Sequence, residues 1–243
     1  MTLPPPPAPP CLRWGVVVFP GSNCDRETVH VLREVLGQEA DDVWHEATSL
    51  AGYDAVVLPG GFAHGDYLRA GAVARFSPVM EAVRAFAESG KPVLGICNGF
   101  QVLLEAGLLP GAMLRNRSQR FVCRWTHLRV ENPESPFLKG CRPGQVLRIP
   151  VAHGEGNYYA DPGTLDAMET RGQVLLRYCE PDGAVTGGAN VNGSARNIAG
   201  ICSERGSVAG LMPHPERAAE SALGSTDGRA LFAGLLAART GTA

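Results

Sequence analysis

The sequence of 243 residues lacks any apolar run close to the roughly 20 residues that a membrane span requires. It also lacks a strong excess of one charge. The formal net charge of −2 gives no electrostatic basis for binding nucleic acid or an anionic membrane. Neither a G-x-x-x-x-G-K-[ST] loop nor a G-x-G-x-x-G turn after a strand is present, so we expect no nucleotide site in this chain. Membrane, nucleic-acid and nucleotide-binding classes are therefore not expected.

Cysteine usage argues against two further classes of protein. The seven cysteines are odd in number and irregularly spaced, at positions 11, 24, 97, 123, 141, 179 and 202, and no C-x-x-C occurs. A disulfide framework or a structural zinc site is therefore not expected, and we predict no metal. Reduced thiols fit a cytoplasmic protein.

The N-terminal segment differs in composition from the rest of the chain. Met1 to Pro10 is almost entirely proline and lacks the basic and apolar regions of a signal peptide. We predict a disordered, polyproline-like tail over residues 1–13 and a single domain over residues 14–243. The hydrophobic fraction of 44% and the charged fraction of 19% are typical of a globular protein with a full core.

Strand and helix patterns alternate through the first half of the chain. This order favours an α/β fold, with a parallel sheet covered by helices on both faces. The second half contains mainly strand patterns, some of which we expect to add to the sheet as antiparallel strands. Strands are predicted over 14–19, 42–44, 55–58, 92–96, 121–130, 146–151, 174–179, 197–202 and 207–212, and helices from 25, over 77–89, after 97 to 106, and over 226–238.

A short apolar strand pattern leads directly into Gly95-Ile96-Cys97-Asn98-Gly99. A glycine on each side of a nucleophile allows the cramped strand-to-helix turn of the α/β-hydrolase elbow. Such a turn presents Cys97 with its sulfur exposed, where the N–H groups that open the next helix favour a thiolate. We interpret Cys97 as a nucleophile and the other six cysteines as inert core residues.

Pro213-His214-Pro215-Glu216 supplies a base for this nucleophile. Each proline biases the preceding residue toward extended geometry, and in an extended segment His214 and Glu216 point to the same side. A carboxylate beside an imidazole fixes its tautomer and supports its charged form. Cys97, His214 and Glu216 are therefore the parts of a Cys-His-acid triad.

A second glycine-rich turn, Pro59-Gly60-Gly61-Phe62, follows the predicted strand 55–58. Carboxyl ends of parallel strands share one edge of a sheet, so this turn and the elbow should lie on the same rim. One interpretation is a simple end of a strand. The other is that its backbone N–H joins that of Asn98 in stabilising an oxyanion.

The residues also carry a family resemblance, which covers residues 14 to 238. The segments 95–101 and 213–216 resemble the triad (class I) glutamine amidotransferases. Further runs are similar to the family of glutaminase subunits of phosphoribosylformylglycinamidine synthase. One departure is Ala63-His64, where that family has a serine and then a variable residue. The further runs are 20–25, 59–62 with 65–67, 149–156 and 192–194.

The resemblance implies a flavodoxin-like, three-layer α/β sandwich with a mostly parallel central sheet. It also implies that Cys97 attacks the side-chain amide of glutamine and forms a glutamyl thioester. His214 then protonates ammonia and activates water, and Glu216 orients His214. Gly61 and Asn98 would be the oxyanion donors in this reaction.

By the same resemblance, Gln101 and Phe121 help to bind glutamine. Ammonia would pass to a large synthetase subunit, joined in many bacteria by a small third subunit. That partner would use ATP and Mg to convert formylglycinamide ribonucleotide to formylglycinamidine ribonucleotide in purine biosynthesis, while this chain holds no cofactor. For residues 153–156, a role in the shared face and an ordinary glycine-rich loop remain equal interpretations.

Three alternatives remain at the level of sequence. A cysteine hydrolase related to intracellular proteases usually has histidine directly after the elbow cysteine, where this chain has Asn98. A catalytically silent regulatory subunit would not need Cys97, His214 and Glu216 intact. An amidotransferase for another acceptor is opposed by the runs 149–156 and 192–194, through resemblance alone.

Overall fold

The computed structural model describes residues 11–240, with side-chain environments as far as residue 238. Within this part, nine strands form one sheet and two short strands form a second. The main sheet contains β1 (Arg13–Val18), β2 (Glu39–Trp44), β3 (Ala55–Leu58), β4 (Val93–Ile96), β6 (Val122–Val130), β7 (Val146–His153), β9 (Val174–Cys179), β10 (Ile198–Cys202) and β11 (Val208–Leu211), and the small sheet pairs β5 (Ala112–Leu114) with β8 (Asn157–Tyr159).

The main sheet has the strand order β2-β1-β3-β4-β11-β10-β9-β6-β7. The first five strands in this order are parallel, and the remaining pairings are antiparallel. The α/β fold with a parallel core and antiparallel additions is therefore confirmed. The central parallel strands β3, β4 and β11 read as short, fully buried apolar runs because helices cover their faces, whereas the edge strand β2 is partly exposed.

Five α-helices accompany the sheet in the described part. They are α1 (Asp25–His30), which continues as a π-helical turn over Val31–Val35, then α2 (Val79–Glu88), α3 (Asn98–Glu105), α4 (Pro162–Thr170) and α5 (Arg229–Thr240).

Helices α3 and α5 lie on opposite faces of the sheet. Gly95 and Gly210 are in register on β4 and β11, and side chains of α3, such as Phe100, pack against both strands there. The strand register places Trp14 of β1 on the other face of the sheet from Gly95. There it packs edge-on against Phe232 of α5, with ring centroids 6.2 Å apart. The two helix layers and the sheet thus form a three-layer sandwich.

Several boundaries differ from the sequence-based expectations. The patterns did not predict β5, β8 or α4, although Asp161 begins α4 as a capping residue that accepts from the Thr164 N–H. The helix predicted over 77–89 begins only at Val79, as α2, and the Ser77 hydroxyl lies 3.3 Å from His64 Nε2 and does not cap it.

Residues 1–10 of the tail predicted over 1–13 lie outside the described residues. In the remaining part, Leu12 is only 3% exposed and its N–H donates to Gln38 Oε1, and Arg13 already begins β1. These contacts extend the ordered domain to residue 12, ahead of the expected start at 14. None of the helices described is both long and apolar enough to cross a membrane.

Candidate active site

Cys97 occupies the sharp turn between β4 and α3. Its φ of +49° and ψ of −103° are sparsely populated for a residue with a side chain, and such strain concentrates at functional sites. The flanking glycines make this turn possible. A Cβ on Gly99 would lie 1.9 Å from the backbone oxygen of Leu58, and one on Gly95 would lie 2.5 Å from Leu103 Cδ1.

The sulfur of Cys97 is less exposed than the elbow pattern predicted. The residue is 5% exposed and lines the floor of a cavity, where its Sγ lies 3.7 Å from the Ala152 carbonyl oxygen. Ala152, near the end of β7, therefore lies against the sulfur, and Cys97 opens onto the cavity that both residues line.

His214 follows β11, the strand beside β4, and this adjacency brings it to Cys97. Its backbone N–H donates to the Pro150 oxygen at 2.8 Å, and its Nδ1 lies 2.5 Å from Glu216 Oε1. Both side chains are almost completely buried. The predicted pairing is present, but its stated cause was wrong: residues 215–218 form a 3₁₀ turn rather than an extended segment.

The electrostatics favour a charged imidazole in this pair. Burial by itself lowers the pKa of His214, but Glu216, Cys97 and Cys24 together outweigh it and hold the pKa well above its ordinary value. His214 Nε2 is buried without a hydrogen-bond partner in the described part of the chain. A protonated imidazole next to Cys97 stabilises negative charge on the sulfur and holds a proton ready for transfer.

A second cysteine lies behind the histidine. Cys24 Sγ is 3.9 Å from His214 Nδ1 and accepts from Arg217 Nη2 at 3.2 Å, so it is not the isolated core residue that the sequence suggested. Burial raises the pKa of the Cys24 thiol, and the contact with His214 offsets only part of that. Cys11 and Cys123 also differ from the expectation of core cysteines, because both are exposed.

Cys24, His214 and Glu216 are the one set in the described residues that could hold a metal ion, with donor atoms within 4.8 Å of one another. These donors already contact each other, and Arg217 places a positive charge against the sulfur. The expectation of a metal-free site stays a prediction.

The two proposed oxyanion donors lie on neighbouring strand ends. Gly61 follows β3 and lines the cavity beside Cys97, and its φ of +150° suits glycine. The N–H of Asn98 is among those that open α3 and lack intrahelical partners. The Asn98 side chain joins the two segments, because its Oδ1 accepts from the Ala63 N–H at 2.9 Å.

The cavity above Cys97 has a volume of about 200 Å³. Gln101 and Phe121, both predicted to bind substrate, line it; Gln101 is buried and Phe121 is 55% exposed at the mouth. The sequence analysis did not assign four charged side chains of the wall to the substrate cavity: Asp66, Arg115, Arg120 and Glu155. The available signal was their position in loops on the catalytic rim.

His153 also lines this cavity and is held on both ring nitrogens. Its Nδ1 lies 3.1 Å from Asn116 Oδ1, and its Nε2 lies 3.4 Å from Asn192 Nδ2, which also donates to the Tyr178 hydroxyl. The sequence left residues 153–156 open between two interpretations. In the structure, residues 153–155 form part of the cavity wall.

A larger groove of about 950 Å³ lies beside the buried pair. It is lined by Trp125, Glu216, Arg217 and Leu223 among others, and it does not include Cys97. The strained Cys97 lines the small cavity, the buried imidazole of His214 interacts with its sulfur, and the Asn98 N–H at the start of α3 lacks an intrahelical partner. That combination suits attack on a carbonyl-type carbon through a covalent intermediate.

Comparison with known proteins gives consistent matches. Residues 12–229 match the model of the CobB/CobQ-like glutamine amidotransferase domain. "Phosphoribosylformylglycinamidine synthase subunit PurQ" of Symbiobacterium thermophilum is 62% identical over 230 residues, which cover 95% of this chain and 98% of the relative. The protein of the same name from Moorella thermoacetica is 60% identical over 225 residues, 93% of this chain and 95% of the relative.

Solved structures agree with these matches. A chain of the PurLQS structure from Thermotoga maritima superposes with a TM-score of 0.84 and 43% identity, covering 94% of this chain and 99% of that one. A glutamine amidotransferase from the same organism, with a TM-score of 0.55 and 18% identity over 86% of this chain and 77% of that one, shares the fold. The chain belongs to the CobB/CobQ-like glutamine amidotransferases, and within them to the family of phosphoribosylformylglycinamidine synthase PurQ subunits.

Proposed function

We propose that this chain is the glutaminase subunit of phosphoribosylformylglycinamidine synthase and hydrolyses glutamine to glutamate and ammonia. The observation that carries the proposal is the strained Cys97 at the floor of a small cavity, against a buried His214–Glu216 pair. Membership of the PurQ family supplies the acceptor, formylglycinamide ribonucleotide, which an ATP-dependent synthetase converts to formylglycinamidine ribonucleotide.

In the first half-reaction, the Cys97 sulfur attacks the carbon of the glutamine side-chain amide. The carbonyl oxygen takes the negative charge and receives hydrogen bonds from the N–H groups of Gly61 and Asn98. His214 transfers its proton to the amide nitrogen, the carbon–nitrogen bond breaks, and ammonia leaves. The product on the protein is a glutamyl thioester on Cys97.

In the second half-reaction, the now neutral His214 takes a proton from water. The resulting hydroxide attacks the thioester carbon, the carbon–sulfur bond breaks, and the sulfur leaves as a thiolate. Glutamate is released and His214 again carries its proton, so the cycle is closed. Glu216 holds Nδ1 throughout and stabilises the charged ring.

Ammonia released into water at neutral pH is protonated and loses its nucleophilicity, so the proposal requires a docked synthetase. The mouth of the cavity fits such a contact. Phe62 and Phe121 line it and are 47% and 55% exposed, and Tyr67 and Leu68, from the loop that carries Asp66, are 71% and 79% exposed. We call these four residues the apolar collar, which a partner surface would cover.

The synthetase would bind ATP and Mg, and a small third subunit would complete the assembly. The name PurLQS, given to the Thermotoga maritima structure, is consistent with three subunits. We place the protein in the cytoplasm. Cys97 must be a free thiol to react, and the cysteines in the described part of the chain are unpaired.

The test uses the assembled complex with Cys97→Ala. Glutamine-dependent formation of the amidine product should fall at least about a thousand-fold, because no other group can form the thioester. Synthesis supplied with ammonium salt should stay within about twofold, since the acceptor chemistry lies on the partner.

Cys123→Ala is the matched control, because Cys123 is exposed and does not line the small cavity. It should keep both activities. Loss of both activities in Cys97→Ala, or of neither, would show that Cys97 is not the nucleophile.

A further inference from the structure

Cys24 precedes α1 and is buried, yet it does not line the small cavity above Cys97. The two half-reactions therefore give it no role, although its sulfur lies 3.9 Å from Nδ1 of His214. Two cysteine sulfurs thus interact with one imidazole, because Cys97 interacts with the same ring. Both sulfurs could compete for the proton of that ring, and only the Cys97 sulfur lies on the substrate cavity.

The surroundings of the Cys24 sulfur suit a thiol rather than a thiolate. Its S–H donates to Asn23 Oδ1 at 3.1 Å, and the sulfur accepts from Arg217 Nη2 at 3.2 Å. Lone-pair density remains for the N–H at His214 Nδ1, whose principal acceptor is Glu216. Burial is the main cause that raises the pKa of this thiol. At neutral pH Cys24 therefore accepts a hydrogen bond from the charged imidazole and does not take its proton.

The segment that carries Cys24 is also hydrogen-bonded to the turn 59–62, which carries the proposed oxyanion donor Gly61. The Cys24 N–H donates to the Gly60 oxygen at 3.2 Å. Two residues earlier, Ser22 forms an antiparallel bridge with Gly61. A Cβ on Gly60 would lie 2.7 Å from His214 Cε1 and 3.1 Å from Cys24 Sγ, so only glycine leaves room for both groups. Cys24 is therefore packed against both this turn and the ring of the base.

Arg217 holds the Cys24 sulfur from the outer side. Its Nε donates to Glu27 Oε2 at 3.0 Å, so the guanidinium group is anchored on α1 while its Nη2 reaches the sulfur. Arg217 lines the larger groove and not the small cavity. Its side chain can therefore act on the catalytic histidine through Cys24, without contact with the substrate cavity.

We infer that Cys24 is a positioning residue that holds the His214 imidazole against Glu216 and the turn carrying Gly61, so that the base and an oxyanion donor keep one fixed geometry. The inference rests on the proposed function. A second acceptor beside Nδ1 restrains rotation of the ring more than one acceptor does. It also stabilises the charged ring that supplies a proton to ammonia. Cys24 does not line the substrate cavity and exchanges no proton in the reaction.

The test measures glutamine hydrolysis by the assembled complex carrying Cys24→Ala or Cys24→Ser. Cys24→Ala should lower kcat about tenfold and leave the KM for glutamine within about twofold, because the substrate contacts remain while the base is less well placed. Cys24→Ser keeps a donor and an acceptor, so its kcat should return to within about threefold of the wild type. A packing role alone predicts the reverse order, since burying a hydroxyl costs more than burying a methyl group.

A pH profile adds a reading that a packing role would not move. Cys24 is one of the groups that raise the pKa of His214, so its loss lowers that pKa. Activity requires the protonated ring, so the alkaline limb of kcat/KM in Cys24→Ala should move to lower pH by about half a unit. The titratable and charged groups around His214 come from its own turn, the elbow, the start of α1 and β7: Glu216, Arg217, Cys97, Cys24 and His153.

Cys202→Ala is the matched control, because Cys202 is also a buried thiol but lies on β10 and does not line the small cavity. It should keep the wild-type kcat and pH profile. Arg217→Met is a second variant that leaves Cys24 in place and removes the donor to its sulfur. Arg217 is partly exposed, so this variant should fold, and it should lower kcat at least about threefold at unchanged KM.

Wild-type kcat and an unmoved pH profile in Cys24→Ala would overturn the inference while the proposed function stands. A Cys24→Ser protein no more active than Cys24→Ala would also overturn it. Should Cys24→Ala fail to fold, an unchanged kcat in Arg217→Met would do the same. A wild-type complex that does not hydrolyse glutamine would instead overturn the proposed function itself.

Discussion

His153 is only 3% exposed beside the cavity, yet the proposed reaction gives it no proton to carry. Asn116 Oδ1 accepts a hydrogen bond and Asn192 Nδ2 donates one, so both ring nitrogens are satisfied only in the neutral tautomer with its proton on Nδ1. Burial first, and the nearby charge of His214 second, lower the pKa of His153 to about 4. Protonation of His153 therefore makes the stability of the folded state depend on pH.

The sign of this dependence follows from the lowered pKa. Between about pH 6.5 and 4 the unfolded chain protonates His153 and the folded chain does not, so the free energy of unfolding decreases as the pH falls. The full decrease due to His153 is on the order of 3 kcal/mol. Chemical denaturation between pH 7.5 and 5 should show a smaller loss of unfolding free energy in His153→Gln than in the wild type.

His30→Gln provides the comparison, because His30 is half exposed and pairs with Glu220 on the surface. This variant measures the effect of removing an imidazole from the surface rather than from the wall of the cavity. Equal pH dependence in all three proteins would mean that His153 does not titrate differently in the folded and unfolded states.

At the scale of the element, the strand-turn-helix unit β4–Cys97–α3 is fixed by contacts with the neighbouring strand β3. Gly99 lies so close to Leu58 of β3 that a Cβ would meet backbone atoms, which cannot move as a side chain can. This close approach holds the start of α3 against the end of β3, and the Asn98 side chain accepts from the N–H of Ala63, two residues after Gly61. The unit therefore orders the nucleophile and the oxyanion donors together.

Gly99→Ala should accordingly destabilise the protein by roughly 2–4 kcal/mol in urea unfolding, because the backbone must shift. Glutaminase activity should fall by more than the loss of folded protein explains, since the shift moves Cys97. Gly187→Ala is the control, because no atom lies within 4 Å of a Cβ at Gly187, and it should change stability by less than about 0.5 kcal/mol. A Gly99→Ala protein as stable and active as the control would contradict this role for Gly99.

At the scale of the whole molecule, the reactive groups lie on one rim because five parallel strands end there. Gly61 follows β3, Cys97 follows β4 and His214 follows β11, and these three strands are neighbours in the sheet. Two residues of the apolar collar, Phe62 and Phe121, line the cavity on this rim, and Tyr67 and Leu68 follow Asp66 of the cavity wall, while Leu223 lies in the separate, larger groove. The docking face for the synthetase should therefore be the collar.

Leu68→Asp, at the most exposed collar position, should weaken binding of the synthetase at least about tenfold in a titration of purified subunits. Glutamine-dependent synthesis should fall with it, whereas ammonia-dependent synthesis should not. Leu223→Asp is matched in chemistry and is 51% exposed, and it should bind normally. Weakened binding in Leu223→Asp alone would assign the docking face to the larger groove.

The sequence by itself determined the alternation of strands and helices, the elbow at Cys97 and the association of His214 with Glu216. Each depends on residues close together in the chain, where periodicity and glycine act locally, although a 3₁₀ turn rather than the expected extended segment brings Glu216 to His214. The strands β5 and β8 were missed because three-residue strands carry no periodic signal. Helix α4 was missed because it buries only Leu165 and Met168, so its apolar face is weak.

Only the tertiary structure decided which distant groups meet. The contacts of Cys24 with His214 and Arg217, of Asp66 with Asn98, and of His153 with Asn192 join segments far apart in the sequence, and no local pattern encodes them. Burial, charge pairing and the resulting pKa values depend on every element packed around a site. They exist only once the sheet has brought the strand ends to one rim.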